Sequence, residues 1–185
     1  ERNFTISLWL KTSASNTGVL SIRSDRGGHD RHFYLHNGIP HHRVWQGGAW
    51  SVNNNVIIND GEWHHWVLTV EDNVGQKAYI DGSLAGQHAY DHSDFNWQNL
   101  ITIGYSDDAV GKFFKGSLDD VRIYSKALSE TEINEMYNSA AGTLSELLQH
   151  IENDLFYTKQ EIDEKYGAGT GGSDSRIGTL TESKL

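Results

Sequence analysis

Between Phe4 and Tyr124 apolar and polar residues alternate with a period of two, the repeat of a strand with one face turned to a core. Phe4, Ile6, Leu8 and Leu10 share one face, and Thr5, Ser7, Trp9 and Lys11 share the other. The same alternation groups Leu20 with Ile22; Trp66 with Leu68 and Val70; and Ala78 with Ile80. Further on it groups Ile101 with Ile103 and Tyr105, and Val121 with Ile123. Asp119 falls in phase with Val121 and Ile123, which predicts a buried, hydrogen-bonded carboxylate. Turn signals punctuate the runs at Asn16-Thr17-Gly18, Asn37-Gly38, Asp60-Gly61, Asp81-Gly82 and Gly116-Ser117. About eight short strands, each with one apolar face, predict an all-β chain of two antiparallel sheets packed face to face.

After Tyr124 the period becomes helical. Ser129 and Glu132 form a capping box, Leu128 is placed to staple against Ile133, and Ile133, Met136 and Tyr137 share a helical face. Thr143 with Glu146, and Thr158 with Glu161, repeat the capping device, Tyr157 and Ile162 forming the second staple. Leu144, Leu148, Ile151 and Leu155 follow 4-3-4 spacing, which suits either a short coiled-coil seam or a helical pair packed on its own sandwich. The expected organisation is a sandwich over 1–139, a helical segment over 140–166 and a Gly-rich tail over 167–185, with one short strand at Ile177–Leu180.

Composition narrows the function. With 37% hydrophobic residues the core must recruit the 6 Trp, 8 Tyr and 6 Phe. A net charge of −10 without any long Lys/Arg block opposes binding to a phosphate backbone, so nucleic acid is not an expected partner. Cysteine is absent, which removes disulfides and thiolate metal sites. No apolar run is long enough to cross a bilayer, so membrane insertion is not expected, and no signal peptide opens the sequence. Because the first residue is Glu1, the chain is expected to be a fragment or a processed product.

The succession FTISLWLKT, DGEWHHWVLTV, KAYIDGSLAG, ITIGY and FKGSLDDVRIYSKALSETEI resembles the laminin-G-like jelly rolls of the concanavalin A-like lectin/glucanase superfamily over about Phe4 to Tyr137. The resemblance rests on Trp63-His64-His65 before a strand, Tyr79-Ile80-Asp81-Gly82 at a hairpin, and Gly116-x-x-Asp119-Asp120-Val121-Arg122-Ile123-Tyr124 near the end. It implies an antiparallel jelly roll, with Trp63 and one neighbouring histidine as a plug at the strand entry. Members of the family usually carry a strand region before the FTISLWLKT segment, whereas three residues precede Phe4 here. The Leu118–Tyr124 strand is therefore expected to expose an edge unless Ile177–Leu180, or another chain, pairs with it. The segment FYTKQEIDEKYG resembles short segments of phage tail-fibre proteins, which implies a homotrimer if the 144–155 seam is an oligomer contact.

Candidate chemistry concentrates in loops. The stretch HDRHFYLHNGIPHHRVWQGGAW holds His36, His41, Trp45 and Trp50, and downstream lie Tyr90, His92 and Trp97. Sugars stack their apolar faces on aromatic rings and hydrogen-bond to planar polar groups, and these seven residues are the candidate ligand contacts. Against this stands the plainer reading, in which Phe33 and Trp45 are core and the histidines are ordinary strand positions. His41 and His42 are adjacent, so on a strand they point to opposite faces, and no carboxylate completes a tetrahedral zinc set with His32 and His36. Calcium suits the acidic loops better. Laminin-G-like relatives hold calcium in rim loops, and by loop position that resemblance implies Asp25, Asp30, Asp107 and Asp108 as ligands, with Asp91 and Asp94 in a further loop.

Catalysis finds no support. Glucanases of the superfamily place paired carboxylates on one strand face, whereas Glu130, Glu132 and Glu135 fall in the capped helix. No G-x-S-x-G, H-E-x-x-H or phosphate-cradling loop occurs. The expected function is non-enzymatic recognition of a glycan or cell-surface receptor, on a phage tail fibre or an extracellular bacterial protein. The alternative is a structural or oligomerisation module that binds no sugar.

Overall fold

Phe4, Ile6, Leu8 and Leu10 are all buried to 3% exposure or less, as their alternation predicts, and they anchor the strand that organises everything else. The computed structural model describes residues 3–24, 30–53 and 55–139, the side chains of 49–53 excepted. Ten strands run in order: β1 Phe4–Lys11, β2 Thr17–Arg23, β3 Arg31–His36, β4 Ile39–Trp45, β5 Ala49–Asn53, β6 Trp63–Glu71, β7 Gly75–Ile80, β8 Ser83–His88, β9 Leu100–Ile103 and β10 Ser117–Tyr124. They form two five-stranded sheets, sheet A in the order β10-β1-β6-β7-β8 and sheet B in the order β5-β4-β3-β2-β9, with every pairing antiparallel. This is the expected jelly-roll sandwich. Strands β5 and β8 exceed the expected eight because Ala49–Asn53 and Ser83–His88 carry few of the branched apolar residues that mark a strand.

The core lies between the inner faces. Phe4, Ile6, Leu8 and Leu10 of β1 and Trp66, Leu68 and Val70 of β6 meet Leu20 of β2 and Phe33 and Leu35 of β3. The Phe33 and Trp66 rings are tilted together at 5.3 Å. Two of the tight hairpins use paired left-handed residues, Asn37-Gly38 between β3 and β4 and Asp81-Gly82 between β7 and β8, the sequence that a two-residue turn between twisted strands demands.

The outer face of sheet A is closed by a helix, α1, over 130–139. The expected capping box forms: the Glu132 amide donates to Ser129 Oγ at 3.3 Å and the Ser129 amide to Glu132 Oε2 at 2.8 Å. Leu128 and Ile133 bury together against Val67 and Tyr79, as the staple requires. Tyr137 stacks on Trp9, and Met136 lies 3.5 Å from Ser7 Oγ. The polar outer face of β1 is thereby removed from water, with Thr5 and Ser7 buried to 1% or less. Among the neighbouring histidines it is His65, not Trp63, that serves as the plug. His65 is 1% exposed, bonded to Ser7 Oγ at 2.8 Å, while Trp63 is 39% exposed. His64 bridges the turn carboxylates of Asp81 and Asp60 at 2.7 and 3.2 Å.

Two local expectations are corrected. Asp119 is exposed, because β10 carries a bulge: Ser7 pairs with Arg122 but Trp9 with Asp119, and Asp120 adopts a φ of +47°. The extra residue shifts the phase, so Leu118, Val121 and Ile123 point inward while Asp119 and Arg122 point outward. Tyr105 does not join Ile101 and Ile103, since β9 ends at Ile103 and Gly104 turns the chain with a φ of +80°. The expectations for the 140–166 helices, the 144–155 seam, the tail-fibre-like segment and the Ile177–Leu180 strand lie outside the described residues.

Two outcomes follow. Ile133→Ala, which empties a fully buried site under α1, is expected to lower the urea-unfolding free energy by about 3 kcal/mol. Burial holds His65 down to about 4, despite the nearby Asp81 and Asp120 carboxylates. The unfolded chain therefore takes up a proton below pH 6.5 that the folded one refuses until about pH 4, and stability falls across that window. Urea titrations should show a loss of about 2 kcal/mol from this group between pH 7 and pH 5, absent in His65→Gln. His64 behaves oppositely: burial pulls it down, but hydrogen bonds and charge from Asp81 and Asp60 leave it raised. Its contribution is present below pH 6.5 and fades as pH rises through the folded value.

Candidate functional site

Sheet B has no helix over its outer face among the described residues. Alternation places His32, Tyr34 and His36 of β3 and His41, Arg43 and Trp45 of β4 on that face. His42 points the other way, fully buried in the core with Nδ1 2.6 Å from Gln76, and burial holds it well below its usual range, with the charge of Arg31 adding to the shift. Tyr34 stacks on His41 at 5.3 Å, and His36 meets His41 edge-on at 5.9 Å. Burial, with a smaller contribution from the charge of His36, lowers His41.

The segment between β9 and β10 covers part of this face. It approaches so closely that a Cβ on Gly18 would sit 2.2 Å from the Lys112 carbonyl. Ser106 Oγ lies 3.1 Å from His32 Nδ1, and Asp108 receives the Arg43 guanidinium at 2.9 Å. Asp107 accepts the Tyr105 hydroxyl and lies 3.6 Å from Lys112 and 3.9 Å from Arg23. Arg23 in turn lies over the Tyr105 ring, 5.2 Å from its centroid.

At the rim, the loop over 89–99 meets the end of β4. The Asp94 amide donates to the Trp45 carbonyl at 3.0 Å, and the Asp94 carboxylate accepts the Gly47 amide. Asp30, 2% exposed, accepts from the Ser93 hydroxyl and the Gln98 amide. Pinned at these points, the loop presents three rings in a row: Trp45 stacks on Phe95 at 6.1 Å, and Phe95 meets Trp97 at 4.7 Å. Trp45 is 40% and Trp97 36% exposed, so neither is core. Beside the rings lies a cavity of about 560 Å3 whose walls include Asp30, His92, Ser93, Asn96 and Gln98. A smaller one of about 230 Å3 is lined by Asp30, His32, Arg43, Trp45 and Asp108. Asp30 belongs to both.

Of the seven residues expected to contact ligand, Trp45, His92 and Trp97 converge on this rim. His36 and His41 share the outer face but sit towards the far end of the strands, His36 about 17 Å from Arg31 at ~3.3 Å per residue. Tyr90 stacks on His88 at 4.2 Å, at the end of β8, beside a third cavity lined in part by His88 and Ala89. The Trp50 side chain lies outside the described residues. Phe95, Asn96 and Gln98 were missed, although the alternation Phe95-Asn96-Trp97-Gln98 of rings and amides is legible in the sequence.

Among the described residues, Asp30, Asp107 and Asp108 do not come together as a calcium site. Asp30, Asp107 and Asp108 are each engaged by protein donors, and among the described residues no three His, Asp or Glu side chains converge as a metal site. Asp25 lies outside the described residues. Nor does a nucleophile emerge from the Ser7–His65 contact. It is buried beneath α1, where the Ser7 hydroxyl also meets Met136 Sδ at 3.5 Å.

Comparison with known proteins agrees with this architecture. The sequence is 27% identical over 180 residues to adhesion G-protein coupled receptor V1 of Danio rerio, covering 89% of this chain and only 3% of that receptor. The fold is similar to domain 4 of AbnA, an extracellular arabinanase from Geobacillus stearothermophilus solved with arabinotriose (TM-score 0.58, 20% identity, 74% of this chain and 66% of that one). It is also similar to the receptor-binding domain of botulinum neurotoxin type G (TM-score 0.58, 15% identity, 76% of this chain and 38% of that one). The family profile described as Laminin_G_3, concanavalin A-like lectin/glucanases superfamily, matches residues 1–134. With close to three quarters of its length inside that match and the sandwich to go with it, the chain belongs to this laminin-G family of the concanavalin A-like lectin/glucanases superfamily.

Proposed function

We propose that this domain is a non-catalytic binding module that recognises a glycan on a cell-surface molecule. The observation that carries the reading is the ring row Trp45–Phe95–Trp97 set beside a polar cavity of about 560 Å3. Rings in a row offer successive sugar faces a stacking surface. Asn96, Gln98 and His92 supply the planar donors and acceptors that hydroxyl groups need, with Asp30 holding Gln98 in place from behind. The pinned loop holds these groups in place before ligand arrives, which lowers the entropy lost on binding.

Two likenesses in fold support the choice of ligand class: an arabinanase domain solved with a trisaccharide and a toxin domain named for receptor binding. The adhesion receptor among the sequence relatives supports a site presented outside the cell. Presentation on a phage tail fibre rests on the 156–167 segment, outside the described residues, and stands as part of this proposal. So does calcium: the described carboxylates do not form its site, and it would need ligands from residues 25–29.

A glycan array read with and without chelator tests the reading. Saturable binding to a defined set of glycans is expected, weakened about tenfold or more by Trp45→Ala or Trp97→Ala and unchanged by Trp63→Ala, an exposed ring remote from the rim. Loss of binding in chelator would establish the calcium requirement. No binding to any glycan by a folded wild-type chain would sink the proposal and favour the alternative of a structural module.

A further inference from the structure

The smaller cavity, of about 230 Å3, lies at the Trp45 end of the ring row and is walled by Asp30, His32, Arg43, Trp45 and Asp108. Strand alternation assembles these walls. His32 of β3 pairs with Arg43 of β4, and Trp45 lies two residues beyond Arg43, so the three project from one face of sheet B. Asp30 keeps the phase of His32 just ahead of β3, and Asp108 comes from the segment laid over the face. Each polar wall is already fixed by protein. Asp30, 2% exposed, is held by Ser93 and Gln98, and His32, 1% exposed, by Ser106 at 3.1 Å. The Asp108 carboxylate takes the Arg43 guanidinium at 2.9 Å. That pair also ties β4 to the covering segment, and it stands across the face between Trp45 and His41. Phe95 borders the larger cavity and Trp45 the smaller, so the row passes one and ends at the other.

We propose that the smaller cavity takes the terminal residue of the glycan, an uncharged one, while the chain behind it runs along Phe95 and Trp97. The inference rests on the glycan reading and deepens it, from recognition of a chain to recognition of its end. A polar space at the end of a row of rings suits one hydroxylated ring. Its face meets Trp45, and its hydroxyl groups meet walls whose geometry is set before it arrives. A further sugar beyond that residue runs into the Arg43–Asp108 pair. To pass, it must part an ion pair whose Asp108 side chain is only 9% exposed. Charge selects in the same direction. Asp30 and Asp108 put two carboxylates beside the cavity, and the Arg43 guanidinium is engaged by Asp108. Sialic acid or sulfate at the chain end brings another negative charge against them, in a site partly shielded from water.

A glycan array carrying each chain in three forms tests the proposal: uncapped, capped at its free end by one further neutral sugar, and capped there by sialic acid or sulfate. One set is tethered through the reducing end and a second through the other end. The bound spots are expected to share one terminal residue, and either cap should weaken binding about tenfold or more. Arg43→Met and Asp108→Ala break the barrier from its two sides, and each should shrink the difference between neutral-capped and uncapped chains. Trp97→Ala, at the far end of the row, should weaken both forms alike. Binding to a motif shared only inside the chains overturns the proposal. So do capped forms bound as tightly as uncapped ones, or a cap effect unchanged in both Arg43→Met and Asp108→Ala when circular dichroism shows them folded. An array on which folded wild-type protein binds no spot sinks the glycan reading itself, whereas bound spots indifferent to the chain end sink this inference alone.

Discussion

A strand has two faces and a sandwich has room for one of them. That constraint governs this molecule. Where Phe4, Ile6, Leu8 and Leu10 of β1 turn inward to Leu20, Phe33 and Trp66, the opposite faces of both sheets must be settled by other means. Sheet A settles its outer face by adding a helix. Thr5, Ser7 and His65 are polar, yet they are buried under α1 because each finds a partner there or next to it: Lys126 carbonyl for Thr5, His65 and Met136 for Ser7. Sheet B settles its outer face with loops, which leave rings and amides in reach of solvent. The difference between the two sheets is what makes one side of the domain structural and the other available.

Charge follows the same division. The core between the sheets admits Arg31 at 4% exposure, its guanidinium over the Phe4 ring at 4.7 Å, and His42 beside Gln76. These groups sit within the end of the sandwich that carries the rim, where Arg31 follows Asp30 directly. Polar side chains buried next to a binding loop fix the strand ends that the loop springs from. Asp30 shows the principle at one residue, since its carboxylate ties the start of β3 to Ser93 and Gln98.

Much of this was legible in the sequence. Period-two alternation identified the core faces of β1, β6 and β7, and the capping box with its staple placed α1 to the residue. Legibility ended where a single residue breaks the period. The β10 bulge at Asp120 reversed the assignment of Asp119, and Gly104 separated Tyr105 from the isoleucines before it. The rim was half visible: Trp45, His92 and Trp97 could be named from residue type. Their meeting depends on the 89–99 loop folding back on Trp45 and Asp30, a contact across more than forty residues that no local pattern encodes. The roles of the carboxylates were not legible for a related reason. Acidic residues in loops look alike in sequence, and only their neighbours decide whether an arginine or a hydroxyl already occupies them.

The fixings of the 89–99 loop carry a further consequence. Asp94 is held by Gly47 and the Trp45 carbonyl, and Gln98 by Asp30 and the Phe95 carbonyl, so the frame is tied at both ends of a five-residue arc. Asn96 and Trp97 lie inside that arc, and both are exposed. Replacement at these two positions would change the surface of the rim while leaving the hydrogen bonds of Asp94 and Gln98 in place, so the outward character of this arc can drift without cost to the frame beneath it.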